Sequence, residues 1–203
     1  MYGVFMPDAM PSKPRKADAL AASIRENLAG RTIVLVGMMG AGKTALGKRL
    51  AARLDMPFKD ADAEIEQAAH LTIPEIFAQH GEEAFRDGER RVITRLLEEG
   101  EIVLATGGGA YMNPETRRRI AAQGVCVWLK ADFETLIRRV RKRNNRPLLN
   151  GADPDETLRR LIEERYPTYA EADIAIQSRE APPELIVDEA IVAIHAFLTG
   201  AAA

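Results

Sequence analysis

Residues 37–44 read Gly37-Met38-Met39-Gly40-Ala41-Gly42-Lys43-Thr44, the spacing G-x-x-x-x-G-K-[ST]. Glycines at these places let successive backbone N–H groups turn inward around phosphate oxygens, with no Cβ in the way. A helix opening at Lys43 would add unpaired N–H groups and the positive end of its dipole. Lys43 can reach β- and γ-phosphates, and the Thr44 hydroxyl can face Mg²⁺. The bland alternative is a plain glycine turn between strand and helix. The apolar run Ile33-Val34-Leu35-Val36 before the loop and the helical Ala45–Leu50 after it supply the context that a nucleoside-triphosphate loop requires.

Other residues are candidates for the acceptor side. Asp60 and Asp62 follow a short apolar stretch. Such carboxylates can hold a metal, take a hydroxyl proton or bind substrate hydroxyls, or simply cap a helix with an acidic first turn. Arg86, in Phe85-Arg86-Asp87-Gly88-Glu89, is a candidate anion ligand, although exposed helical arginines are usually solvated. Gly107-Gly108-Gly109, directly after a buried run, suits close approach of backbone to a ligand. The run Arg138–Arg146 reads as a solvated helix end, a phosphate-neutralising lid or a nucleic-acid patch. Arg165, in Arg165-Tyr166-Pro167-Thr168-Tyr169, is placed to grip a carboxylate in bidentate fashion.

The elements that must position these residues alternate. Runs at 32–36, 102–105, 125–129 and 172–176 read as strands, as does a short stretch at 57–60. Periodic segments at 17–28, 43–54, 82–99, 114–123, 133–143, 155–169 and 183–198 read as helices, with two short helical pieces near 65–67 and 73–77 and a break at Gly81. Unbroken apolar strands between helices imply a parallel sheet covered on both faces. Ligands of such sheets bind at the carboxyl ends of the strands, where the glycines and aspartates above all fall.

Composition narrows the class. The chain has 203 residues, 46% hydrophobic and 29% charged, with net charge −2, which fits one globular α/β domain. The acidic balance argues against general nucleic-acid binding. A single cysteine, Cys126, cannot close an internal disulfide, so a reducing, cytoplasmic setting is expected. No apolar run reaches the ~18 residues of a membrane span. Residues 1–30 are expected to be a partly disordered extension, and 31–200 one domain with a substrate segment near 60–95 and a lid near 139–153.

Six motifs in order resemble shikimate kinase, of the nucleoside-monophosphate-kinase-like branch of P-loop folds. They are the 37–44 loop, Phe58-Lys59-Asp60-Ala61-Asp62 with Ile65-Glu66, Phe85-Arg86-x-x-Glu89, Thr106-Gly107-Gly108-Gly109-Ala110, Arg146-Pro147-Leu148-Leu149 and Arg165-Tyr166-Pro167-x-Tyr169. The resemblance implies a three-layer α/β/α fold with a five-stranded parallel sheet, and a monomer that phosphorylates the 3-hydroxyl of shikimate with ATP and Mg²⁺. ATP would meet Gly40, Ala41, Gly42, Lys43, Thr44, Ala45, Arg139 and Arg146, with Arg139 stacking on adenine and Arg146 closing over the phosphates. Shikimate would be held by Asp62, Arg86, Gly108, Gly109 and Arg165, the two arginines on its carboxylate. Thr44 would ligate Mg²⁺ directly and Asp60 through water, and Lys43, Asp60 and Arg146 would be catalytic. A gluconate-kinase-like enzyme and a non-catalytic nucleotide-binding regulator are the competing readings. No nucleic acid or membrane partner is expected.

Overall fold

The computed structural model describes residues 16–141 and 153–201. Five strands, β1 (Thr32–Val36), β2 (Phe58–Asp60), β3 (Val103–Ala105), β4 (Gly124–Lys130) and β5 (Ile174–Gln177), form one sheet in the order β2-β3-β1-β4-β5. Every neighbouring pair is parallel. β1 lies at the centre, with Val34 opposite Leu104 on one side and Cys126 on the other. All five β1 residues are buried. Successive strand side chains point to opposite faces, so this burial requires cover on both faces.

Helices supply that cover. They are α1 (Lys16–Leu28), α2 (Lys43–Leu54), α3 (Ala61–Ala69), α4 (Ile73–Glu98), α5 (Pro114–Gln123), α6 (Phe133–Arg141), α7 (Pro154–Tyr169) and α8 (Pro183–Thr199). α1, α2 and α8 pack on one another, as do α4 and α5, and α6 and α7. The boundaries have local causes. Thr72 and Glu75 form a reciprocal capping box at the start of α4, with proline in its first turn. Asn113 accepts from the N–H groups of Glu115 and Thr116 ahead of α5.

The break expected at Gly81 is present: α4 is two helical pieces joined across a kink there (φ 82°, ψ 173°), the first running on to the kink instead of ending at 77. A left-handed φ of this kind is open to glycine at little cost. β5 starts two residues later than read, and just ahead of it the Asp173 carboxylate accepts the N–H of Cys126 in the neighbouring strand at 2.7 Å. The Cys126 thiol itself is buried, and that burial pushes it up to about 12.

The second half of the expected N-terminal extension is part of the packed body. Ile24 and Leu28 of α1 are fully buried in the main core, against which Leu20 and Ala21 also pack. Leu28→Ala is therefore expected to lower the unfolding free energy by about 2–5 kcal/mol. Urea denaturation followed by circular dichroism measures this; an unchanged midpoint would place α1 outside the cooperative unit.

Candidate active site

The carboxyl ends of β1, β2, β3 and β5 open onto a cleft of about 620 Å³. Residues 39–46 line it, facing Asp60, Asp62 and Gly108 on one side and Arg139, Ser178 and Arg179 on another. Gly42 caps α2 in the left-handed region (φ 99°) and brings no capping side chain. The first N–H groups of α2 are thus left to an anion rather than to a local oxygen. Lys43 is buried and donates to the carbonyls of Gly37 (2.7 Å) and Met38 (3.0 Å), which holds its ammonium over the loop.

Asp60 serves two purposes. Its Oδ1 accepts the N–H of Asp62 (3.1 Å), the N-cap bond of α3, and its Oδ2 accepts the Thr44 hydroxyl (2.7 Å). The cap expected from the sequence is made by one oxygen, and the other meets the phosphate-loop threonine. A hydroxyl and a carboxylate so close are the hard oxygen donors that Mg²⁺ takes, together with phosphates and water. Among the described residues no group of three or more His, Cys, Asp or Glu forms a metal cluster.

The acceptor side is built around the glycine triplet. A Cβ on Gly107 would lie 2.6 Å from Glu89 Oε1 and 2.9 Å from Asp62 Oδ1. One on Gly109 would lie 2.7 Å from the Arg86 guanidinium. The charged side chains close on the glycine backbone itself, so a Cβ at either place would have to displace their charged ends. Arg86 donates to Glu89 (2.8 Å) and more weakly to Glu82 (3.3 Å). Arg165 donates to the Gly108 carbonyl at 2.9 Å, and the Tyr169 hydroxyl donates to the same oxygen.

Glu89 ties these groups together. It is only 3% exposed, and its Oε1 has no hydrogen-bond partner among the described residues. Burial pushes its carboxyl above the usual carboxylate range, Arg86 works against that, Asp62 adds to it and Arg165 opposes it. For Arg86, burial disfavours the charge, but Glu89 and Glu82 outweigh it and keep the guanidinium firmly ionised. Arg86, Asp62 and Arg165 are therefore all within electrostatic reach of a single buried carboxyl.

The fold thus assembles most of the residues singled out from the sequence. Gly40, Ala41, Gly42, Lys43, Thr44, Ala45, Arg139, Asp60, Asp62 and Gly108 share the cleft. Arg86, Gly109 and Arg165 gather at the glycine triplet that forms its wall. Arg146 and its motif lie outside the described residues. A family profile described as "Shikimate kinase" matches residues 39–195. The chain belongs to the shikimate kinase family. It is 62% identical to a shikimate kinase of Nitrobacter winogradskyi over 168 residues, covering 83% of this chain and 78% of that one. It is 59% identical to a shikimate kinase of Bradyrhizobium diazoefficiens over 179 residues, covering 88% and 86%. Among solved structures, the shikimate kinase of Acinetobacter baumannii in complex with shikimate superposes with a TM-score of 0.78. It is 35% identical, and the match covers 87% of this chain and 97% of that one.

In this kinase three site residues were not marked by sequence reasoning as having a role of their own. Glu89 stands three residues after Arg86, a helical spacing at which opposite charges meet, and that was the available signal. Tyr169 closes the Arg165-Tyr166-Pro167-x-Tyr169 motif and Ser178 stands in none; only the folded chain brings them to Gly108 and to the phosphate loop.

The raised value of Glu89 sets a sign for pH dependence. The folded chain holds this proton more tightly than the unfolded chain does. The resulting stability is complete below the ordinary value of 4.5 and is lost as pH rises through the folded value. Glu89→Gln, which has no charge to bury, should flatten the fall in stability between about pH 4.5 and neutrality. Urea midpoints for both proteins across that range decide it; parallel curves would show that Glu89 ionises freely.

Proposed function

We propose that this kinase transfers the γ-phosphoryl group of ATP to the 3-hydroxyl of shikimate, giving shikimate 3-phosphate on the route to chorismate and the aromatic amino acids. The observation that carries the reading is the pairing of a phosphate cradle with two arginines at one glycine triplet. Asp62 lines the same cleft as Lys43, while Arg86 and Arg165 stand at Gly109 and Gly108. A small polyhydroxylated acid held with its carboxylate on the arginines would present its ring hydroxyls to Asp62 and the phosphates.

The chemistry asked of the protein is mostly positioning and charge neutralisation. The acceptor oxygen forms a bond to the γ-phosphorus as the bond to the β–γ bridging oxygen breaks, and ADP leaves. Asp62 takes the hydroxyl proton. Asp60 faces Thr44 with one oxygen and caps α3 with the other, which suits it to the metal side of the site. Lys43 spreads its charge over the β- and γ-phosphates, and the first-turn N–H groups of α2 hold the β-phosphate. Thr44 and Asp60 would hold Mg²⁺, which when bound neutralises charge on the phosphate oxygens. Arg139, on the cleft wall beside Ser178, is the candidate neighbour of adenine. Residues 31–200, with α1 packed on them, would act as one kinase domain working as a monomer. Among the described residues no helix is long and apolar enough to cross a membrane.

Family membership favours this reading over a gluconate kinase or a non-catalytic regulator. A coupled ADP-release assay with shikimate and gluconate in parallel tests it directly: turnover on gluconate alone would overturn it. Lys43→Ala is expected to reduce kcat by at least about a hundredfold, the scale for losing one transition-state charge contact, with the circular dichroism spectrum unchanged. Wild-type kcat in that variant would remove Lys43 from the transfer step. Arg165→Ala should raise KM for shikimate about tenfold or more with little change in KM for ATP, since a charge-assisted bond contributes about 1.5–3 kcal/mol. Equal increases in both constants would show that Arg165 does not grip the acceptor.

A further inference from the structure

The loop after β5 reaches back to the phosphate loop through one small side chain. Ser178 is 5% exposed, and its N–H donates to the Lys130 carbonyl (2.7 Å), which fixes its backbone at the edge of the sheet. Its hydroxyl donates to the carbonyl of Ala41 at 2.6 Å and accepts from Arg139 Nη1 at 2.8 Å. The same Arg139 nitrogen leans on the carbonyls of Ala41 (3.3 Å) and Gly40 (3.4 Å), while Nη2 donates to the Arg179 carbonyl (3.1 Å). A serine and an arginine from two separate elements thus converge on one peptide unit of the loop.

A trans peptide is planar, with its C=O and N–H pointing in opposite directions, and no peptide bond in the described chain is cis. Gripping the Ala41 oxygen from the Ser178 side therefore turns the Gly42 N–H the opposite way, away from Ser178. Gly42 needs such a grip. With φ at 99° and no Cβ it has a wide range of conformations available, and its own residue type cannot fix the peptide before it. We infer that Ser178, braced by Arg139, is a positioning residue for the phosphate loop. It holds the Ala41 carbonyl outward so that the Gly42 N–H is aimed in advance at the β-phosphate of the nucleotide. Preorganised donors of this kind cost no rearrangement when charge arrives. The inference rests on the nucleotide-binding reading of the loop.

Comparison of ADP with AMP isolates the effect. ADP carries the β-phosphate that the Gly42 N–H would meet, whereas AMP ends one phosphate short of it. Calorimetric titration of the full-length protein should show Ser178→Ala weakening ADP roughly five- to tenfold, the scale of one hydrogen bond, with AMP changed by less than about twofold. Ser178→Thr, which keeps the hydroxyl, should restore the wild-type ratio of the two affinities. Equal weakening of ADP and AMP would mean that Ser178 only shapes the base pocket, and no weakening of either would mean that it holds nothing; both overturn the inference. If Ser178→Ala does not fold, Ser178→Cys, a poor donor, is held to the same outcomes. A wild-type protein that binds neither nucleotide would overturn the nucleotide reading itself, which is a different failure.

Discussion

Backbone lies directly against backbone where the central strands end, and the site depends on that closeness. A Cβ on Gly108 would sit 3.1 Å from the amide nitrogen of Met39, and one on Gly37 would sit 2.7 Å from the carbonyl oxygen of Leu129. No side chain fits between the phosphate loop, the glycine triplet and the end of β4. The 37–44 loop and the glycine triplet that Arg86 and Arg165 close upon are thus in direct backbone contact. In a parallel sheet all strands end on one side, so the central position of β1 between β3 and β4 brings these glycine segments together.

Charge placement follows from that geometry. The pairs on the outer surface, such as Arg160 with Glu164, are widely exposed, and pairs of this kind contribute about 0–1 kcal/mol each. Arg86 and Glu89 differ, because the carboxylate side chain is only 4% exposed. Burying such a pair is poor value for stability alone, since desolvation offsets most of the attraction. Its yield is orientation: Glu89 holds the guanidinium of Arg86 against the backbone of Gly109, where an incoming carboxylate would find it. The cost of that buried carboxyl is visible in its raised proton affinity.

Several cleft residues make two structural contacts at once. Asp60 caps α3 with one oxygen and meets Thr44 with the other. Arg139 belongs to the basic end of α6, where its charge suits the helix dipole, and it also bonds to the Gly40 and Ala41 carbonyls of the phosphate loop and to Ser178. A cap or a dipole contact therefore does not argue against a functional role; the same hydrogen bond that ends a helix also points the side chain at the cleft.

How much of this was legible in the residues alone depends on whether the signal was local. The phosphate loop, the aspartate pair, the glycine triplet and the alternation of apolar runs with amphipathic segments were readable, because glycine spacing, cap chemistry and periodicity act over a few neighbouring residues. The position of α1 was not: its apolar face said helix, but that Ile24 and Leu28 complete the main core follows from packing against α8. Nor were Tyr169 on the Gly108 carbonyl and Ser178 on the Ala41 carbonyl, partners 61 and 137 residues apart. The sequence on its own determined which chemistry is present and where along the chain it sits. Which groups meet, and which carboxyl is buried among them, was settled by the order of strands in the sheet, since distance in space is a property of long-range pairing that no local pattern encodes.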